Sequence, residues 1–380
     1  MLSRWKALAV VVAAVAVVAA ACGQGLVPPP AVVPPGDPSV AALLGDDRRD
    51  KLEDRIATGA RPWSRWVSWG EELFYNGFVE DPPVGPKPSP RISVFYTCAN
   101  CHNTAREDPV LTDQNPEARF QYIQSRPGMF MTQGTTMWGA VNRESFYNGY
   151  YALYHDLCVP DPTTETQTAN GGPNEQGQCA PGTRKMDPKS LEDATQVCSG
   201  YCSVGRYLVR WELDAMMAYF WSLELHLSDL GLSPDDEQSV RETLLPSPRD
   251  PRRAAEARAQ LRSRFLLAAG DTARTVPEVS RLPGGGYAVG PYPDGQSFTG
   301  DPGRGGPLYA RSCAHCHGTA IYPVSGGPLA GDVNRFFQML AKGTSESNAA
   351  YMPEFTYQRL SRQQSADILA YLLRLLREGR

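Results

Sequence analysis

Two short runs of residues carry chemistry on their face: Cys98-Ala-Asn-Cys101-His102 and Cys313-Ala-His-Cys316-His317. Two thiols three positions apart suit addition across the two vinyl groups of one porphyrin. The adjacent imidazole then lies beneath the iron as its proximal ligand. Half a zinc site or a thioredoxin-like pair also uses Cys-x-x-Cys, but neither requires a His directly after the second Cys. With nine Cys and five His in 380 residues, chance would give on the order of 0.003 such matches. Two copies therefore predict two covalently bound haem c groups. Cys98, Cys101, Cys313 and Cys316 are the expected thioether anchors, and His102 and His317 the expected iron ligands.

The elements around the second motif must position it, and their signals are local. Asp301 reads as the N-cap of a helix carrying Leu308 and Tyr309, with the motif at its end. Ser361 with Gln364 reads as a capping box opening a helix striped by Ile368, Leu372 and Leu375. Tyr351-Met352-Pro353 precedes it. The order of haem motif, loop, Met-Pro and closing helix with Ala370-Tyr371-Leu372 resembles a class I cytochrome c. That resemblance implies Met352 as sixth ligand of the second haem, a soft thioether that favours ferrous iron and raises the potential.

The N-terminal half repeats the plan with insertions. Gly70, Leu73 and Phe74 echo the opening helix, and Ala218-Tyr219-Phe220 with Leu223 echo the closing one, expected over about 207–227. The expected fold is mostly α: two class I-like cytochrome c domains at 59–230 and 300–380, the first with long insertions. Residues 231–299, with a charged helix at about 251–269, are expected to pack partly on both. The Gly- and Pro-rich stretch near 160–185 reads as a surface loop closed by a Cys158–Cys179 disulfide.

The sixth ligand of the first haem has several candidates: Met129, Met131, Met137, Met186, His155 and Cys198. The run from Ser190 to Cys198, Gly205-Arg206, the stretch from Glu212 to Tyr219 and Trp138-Gly139-Ala140 are similar to dihaem thiosulfate dehydrogenases. That similarity implies Cys198 as a thiolate ligand and an alternative function as oxidoreductase of a small sulfur compound. Cys202, four residues on, offers Cys198 a competing disulfide. Arg143 and Arg206 are the cations available for a sulfur oxyanion, although Arg143 reads more readily as a propionate partner and Arg206 as an exposed helix residue. His226 reads as solvated, and His315 as a filler inside the second motif.

Export completes the expectation. Arg4 and Lys6 precede an uncharged run from Ala7 to Ala21, short for a membrane span and suited to a signal peptide. Ala19-Ala20-Ala21-Cys22 resembles a lipobox, which implies a signal peptide over 1–21, lipid on Cys22 and a Pro-rich tether over 22–58. The protein would then sit in the periplasm or against the outer membrane, held by its lipid anchor, with redox proteins as partners. The chain carries net charge −4, and loss of residues 1–21 removes two bases and no acid. Such a charge argues against nucleic acid as a partner.

Overall fold

The computed structural model describes residues 36–57, 61–83, 89–146, 157–161, 176–203, 205–245, 250–265, 276–283, 287–317, 333–342 and 355–378; of Tyr201, Cys316 and Lys342 it describes the backbone alone. The expected signal peptide, Cys22, His155 and Met352 lie outside these residues. Helices dominate, and three apolar clusters organise them.

The first cluster is built on a helix crossing. Helices α1 (Val40–Leu44) and α2 (Arg48–Ala57) lead into α3 (Trp63–Asn76), which buries Trp66, Trp69, Gly70, Leu73 and Phe74 at helical spacing. Residues 40–57, expected as extended tether, are therefore helical and folded onto the body. Helix α4 (Pro116–Gln124) follows the first Cys-x-x-Cys-His motif, capped by Asn115 and started by Pro116. Helices α5 (Leu191–Val197) and α6 (Arg210–Trp221) close the first cluster. Every residue of α6 from Glu212 to Trp221 is buried, so this helix is the cluster's centre.

Gly70 sets how closely α3 and α6 approach. A methyl group there would lie 2.0 Å from the Ala215 carbonyl and 2.6 Å from Tyr219 Cβ. Near the C-terminus the same crossing recurs. Helices α7 (Pro234–Leu244) and α8 (Pro251–Arg262) intervene, followed by α9 (Pro302–Ser312), α10 (Ala314–His317), α11 (Asn334–Lys342) and α12 (Arg362–Arg377). A methyl group on Gly305 of α9 would lie 2.0 Å from the Asp367 carbonyl and 2.7 Å from Tyr371 Cβ on α12. In both crossings the carbonyl and the tyrosine are four residues apart, one turn of the closing helix. The expected caps are present. The Asp301 side chain accepts from the Gly303 N–H at 2.7 Å, and Ser361 and Gln364 cap each other reciprocally.

One packing feature departs from the sequence reading, and another agrees with it. Phe120 and Ile123 of α4, with Met129 and Met131 beyond it, are buried in the second cluster with Leu308, Phe337, Phe355 and Leu369. A segment expected inside the first domain thus completes the core of the second. The intervening segment divides: α7 and α8 form a third cluster with α1 and Leu225 to Leu230. Its strands β3 (Val279–Arg281), β4 (Tyr287–Val289) and β5 (Phe298–Thr299) instead pair antiparallel, with Val289 and Tyr292 buried against the second cluster. Before them in the chain, β1 (Cys158–Pro160) and β2 (Thr183–Lys185) pair antiparallel, and a Cys158–Cys179 disulfide ties off the loop between them as expected.

Candidate functional site

The first motif forms a tight turn directly after an extended approach. Thr97 and Asn100 cap it reciprocally, with the Asn100 Oδ1 accepting from the Thr97 N–H at 2.8 Å. The Cys101 and His102 N–H groups both donate to the Cys98 carbonyl at 3.0 Å. This brings Cys98, Cys101 and His102 to one side of a single turn. Loop 132–137 lies against the imidazole. His102 Nδ1 is 2.7 Å from the Thr135 carbonyl, an acceptor only, so Nδ1 carries the proton and donates. Nε2 is left as the coordinating nitrogen, the tautomer control that metal-binding histidines ordinarily receive from a carbonyl partner.

That loop is itself fixed. Arg143 donates to Thr135 Oγ1 at 2.7 Å and to the Thr136 carbonyl. Gly134 approaches so closely that a methyl group there would lie 2.2 Å from His102 Cε1. Only glycine permits this contact.

Facing His102 Nε2 is Cys198, with its Sγ 3.9 Å away. An imidazole nitrogen and a soft sulfur at this separation are a donor pair whose chemistry would suit haem iron at this turn. Cys198 and Cys202 begin and end a π-helical turn and are not disulfide-bonded. Such turns recur at functional positions because they re-aim a side chain. Burial pushes the Cys98 thiol up to about 12, and the neighbouring Cys198 adds to the shift. The two sulfurs are thus near neighbours at one half-buried site.

No contact with His102 is recorded for the other described candidates for sixth ligand. Met129 and Met131 are buried in the second cluster. Met137 and Met186 are buried in the first cluster among its apolar side chains. Arg206, expected to be exposed, instead makes a paired contact with buried Glu212, both oxygens at 2.7 Å, and donates to the Pro90 and Tyr207 carbonyls. Its charge is committed to Glu212. His226 is half-buried and caps a short turn with Asp229, its Nδ1 3.3 Å from the Asp37 carbonyl.

The second motif continues α9: the Cys313 N–H bonds to the Tyr309 carbonyl and the His317 N–H to the Cys313 carbonyl. Burial lowers the pKa of His317, which favours the neutral imidazole. His315 is no filler. Its Nε2 lies 2.8 Å from the carbonyl of Asn100, inside the first motif, and its ring packs 4.9 Å from that of Phe130.

A buried charge cluster, which sequence reasoning missed, fastens the two motifs' surroundings together. Arg359, just ahead of α12, grips Glu107 through both carboxylate oxygens at 2.6 and 3.1 Å, each side chain about 1% exposed. Arg359 also donates to the Thr132 carbonyl, and Glu107 accepts from Asn103 and from the Thr136 N–H. Beside this pair, Arg119 of α4 reaches Asp108 at 2.9 Å and the Gln358 carbonyl at 2.7 Å. Burial acts against Glu107's charge, but the two guanidiniums and its hydrogen bonds outweigh it and hold the carboxyl down at about 2. Asp108 is pushed the other way by burial, with Glu107's charge adding to the shift.

Residues 300–372 match the family model described as cytochrome c oxidase, cbb3-type, subunit III. That region is a cytochrome c domain, which indicates covalently bound haem c and supports haem-based electron transfer. No curated protein and no solved structure matches the chain.

Proposed function

We propose that the protein is a dihaem cytochrome c that carries out one-electron transfer at the outer side of a bacterial membrane. The observation that carries a haem beyond the matched region is the turn at Cys98 to His102. There His102 Nδ1 is held by a carbonyl while Nε2 lies 3.9 Å from the Cys198 sulfur. The repeated glycine crossings, Gly70 of α3 against α6 and Gly305 of α9 against α12, support two class I-like units.

Bound haem supplies the Fe(III)/Fe(II) couple, and the chain's residues set its conditions. Cys98, Cys101, Cys313 and Cys316 tether the two porphyrins; His102 and His317 are the proximal ligands. Met352 completes the second site and Cys198 the first. Thr135, Gly134 and Arg143 hold His102 in one orientation, so coordination changes little between oxidation states. With haem bound, a thiolate ligand from Cys198 would lower the first potential, whereas a thioether ligand from Met352 would raise the second. With haem bound at both, electrons would pass from the first site to the second and onward to a redox protein. Exposed Val94 and Phe95, just ahead of Cys98, offer apolar surface beside the first site for a partner that delivers electrons.

The sulfur-compound oxidoreductase reading is weaker. It needs cations at the first site, and both candidates are engaged: Arg206 by Glu212, Arg143 by Thr135 and Thr136. The exported, lipid-anchored placement remains part of this proposal and rests on residues 1–22. Among the described residues, no helix is long and apolar enough to cross a membrane.

A spectroelectrochemical titration of the purified protein tests this function. Two one-electron components of c type, well separated in potential, are expected. A single component, or none, refutes it.

A further inference from the structure

The two haem-binding turns touch each other, and the contact is made by the residues enclosed between their cysteines. His315 stands between Cys313 and Cys316; Asn100 stands between Cys98 and Cys101. The Asn100 carbonyl can only accept, so His315 Nε2 donates across 2.8 Å. Its Nδ1 is then the unprotonated nitrogen, and it is buried with no hydrogen-bond partner. Leaving a buried polar atom unsatisfied costs stability. An apolar side chain would fill the same space without that cost, so packing alone does not explain a histidine here.

The surroundings hold this contact at a fixed separation. Arg311, at the end of α9, donates to the carbonyls of Met129, Gln124 and Arg126, and the Met131 N–H returns a bond to the Arg311 carbonyl at 2.9 Å. Phe130, between those anchored residues, lies against the His315 ring, and its N–H bonds to Asn103 Oδ1, beside His102. The buried Arg359–Glu107 pair is tied to the same residues through Asn103, whose Nδ2 donates both to Glu107 and to the Phe130 carbonyl.

We propose that His315 is an electron bridge that joins the two haems into one redox unit. The inference rests on the dihaem reading above. The path is short and almost wholly covalent. From Cys101 it crosses one peptide bond to the Asn100 carbonyl and then the hydrogen bond into the conjugated His315 ring. From the ring it runs along the His315 backbone to Cys316. The step is an electron exchange: one ferrous iron is oxidised and one ferric iron reduced, with no bond broken and no proton released. An electron accepted at either site thus equilibrates inside the molecule before a partner collects it.

The test uses the full-length holoprotein, with haem stoichiometry measured first. His315→Phe keeps an aromatic ring against Phe130 and removes the donor; His315→Gln restores an N–H donor without the ring. Internal electron equilibration is followed after flash reduction, alongside the bisignate Soret circular dichroism of neighbouring haems. With two haems present and far-ultraviolet dichroism unchanged, His315→Phe is expected to slow equilibration several-fold. His315→Gln is expected to recover much of the loss. Equilibration as fast in His315→Phe as in the parent protein overturns the bridge and leaves the dihaem reading standing. One haem per chain overturns the dihaem reading itself. The unaltered protein gives a second readout that needs no variant to fold. Labelled with 15N-histidine and fully reduced, it is expected to show His315 protonated at Nε2 alone. Protonation at Nδ1 rejects the proposal.

Discussion

Replacing Arg359 by methionine separates the buried charge cluster from ordinary packing. Methionine roughly preserves the apolar stem and removes the guanidinium that grips Glu107 at 2.6 and 3.1 Å. The carboxylate is then left in a fully enclosed site with Asn103, the Thr136 N–H and a more distant Arg119. Breaking one partner of a buried pair costs about 3–5 kcal/mol. The acid–base properties of Glu107 give a second route to that figure. A carboxyl held at about 2 against an unfolded value of about 4.3 corresponds to about 3 kcal/mol. Because the folded value is the lower one, this contribution is complete above about pH 4.5 and drains away as pH falls toward 2. Asp108, whose pKa is raised, contributes in the opposite sense and offsets part of the slope.

Chemical denaturation followed by far-ultraviolet dichroism at pH 7 and again near pH 3.5 reads both effects. The expected result is a loss of about 3–5 kcal/mol for Arg359→Met at pH 7, with a flatter acid limb than in the parent protein. Joint replacement of Glu107 and Arg359 by methionine is expected to recover most of the loss, since a pair removed whole is often neutral. A single-variant cost below about 1 kcal/mol, the range of exposed ion pairs, with an unchanged acid limb would refute the reasoning.

Three further outcomes follow from the same geometry. Gly134→Ala drives a methyl group to 2.2 Å from His102 Cε1, and is expected to displace that imidazole and perturb the spectrum of one haem while leaving the other intact. Cys198→Ser is expected to abolish a thiolate-type low-spin signal in the oxidised protein and to raise the first haem's potential; an unchanged spectrum rejects Cys198 as ligand. Replacing Cys158 and Cys179 by serine opens a loop spanning 21 positions, and the chain-entropy relation predicts about 3 kcal/mol of lost stability in thermal or denaturant unfolding.

Local signals were readable because local physics produces them. The caps at Asp301 and Ser361 depend on residues two or three positions away, and the Cys-x-x-Cys-His spacing is itself the chemistry. The Cys158–Cys179 pairing followed from two cysteines flanking a turn-rich stretch. What escaped was long-range. Glu107 and Arg359 are 252 positions apart, and each alone reads as a solvated charge. Met129 and Met131 looked like ligand candidates because they are soft and near the first motif. Yet the turn after α4 carries them into the second core, a course that no helical or strand period encodes. Arg206 lies just ahead of a helix, but its salt bridge to buried Glu212 depends on where α6 packs. His315 was dismissed because a motif's inner positions carry no information about what lies opposite.

The central claim is one haem at each Cys-x-x-Cys-His turn. Intact mass and pyridine haemochrome analysis of the exported protein, beside a Cys98→Ala/Cys101→Ala variant and a Cys313→Ala/Cys316→Ala variant, test it directly. The account predicts two covalent haems in the parent and one in each variant. A parent carrying a single haem, lost only with Cys313 and Cys316, would contradict it.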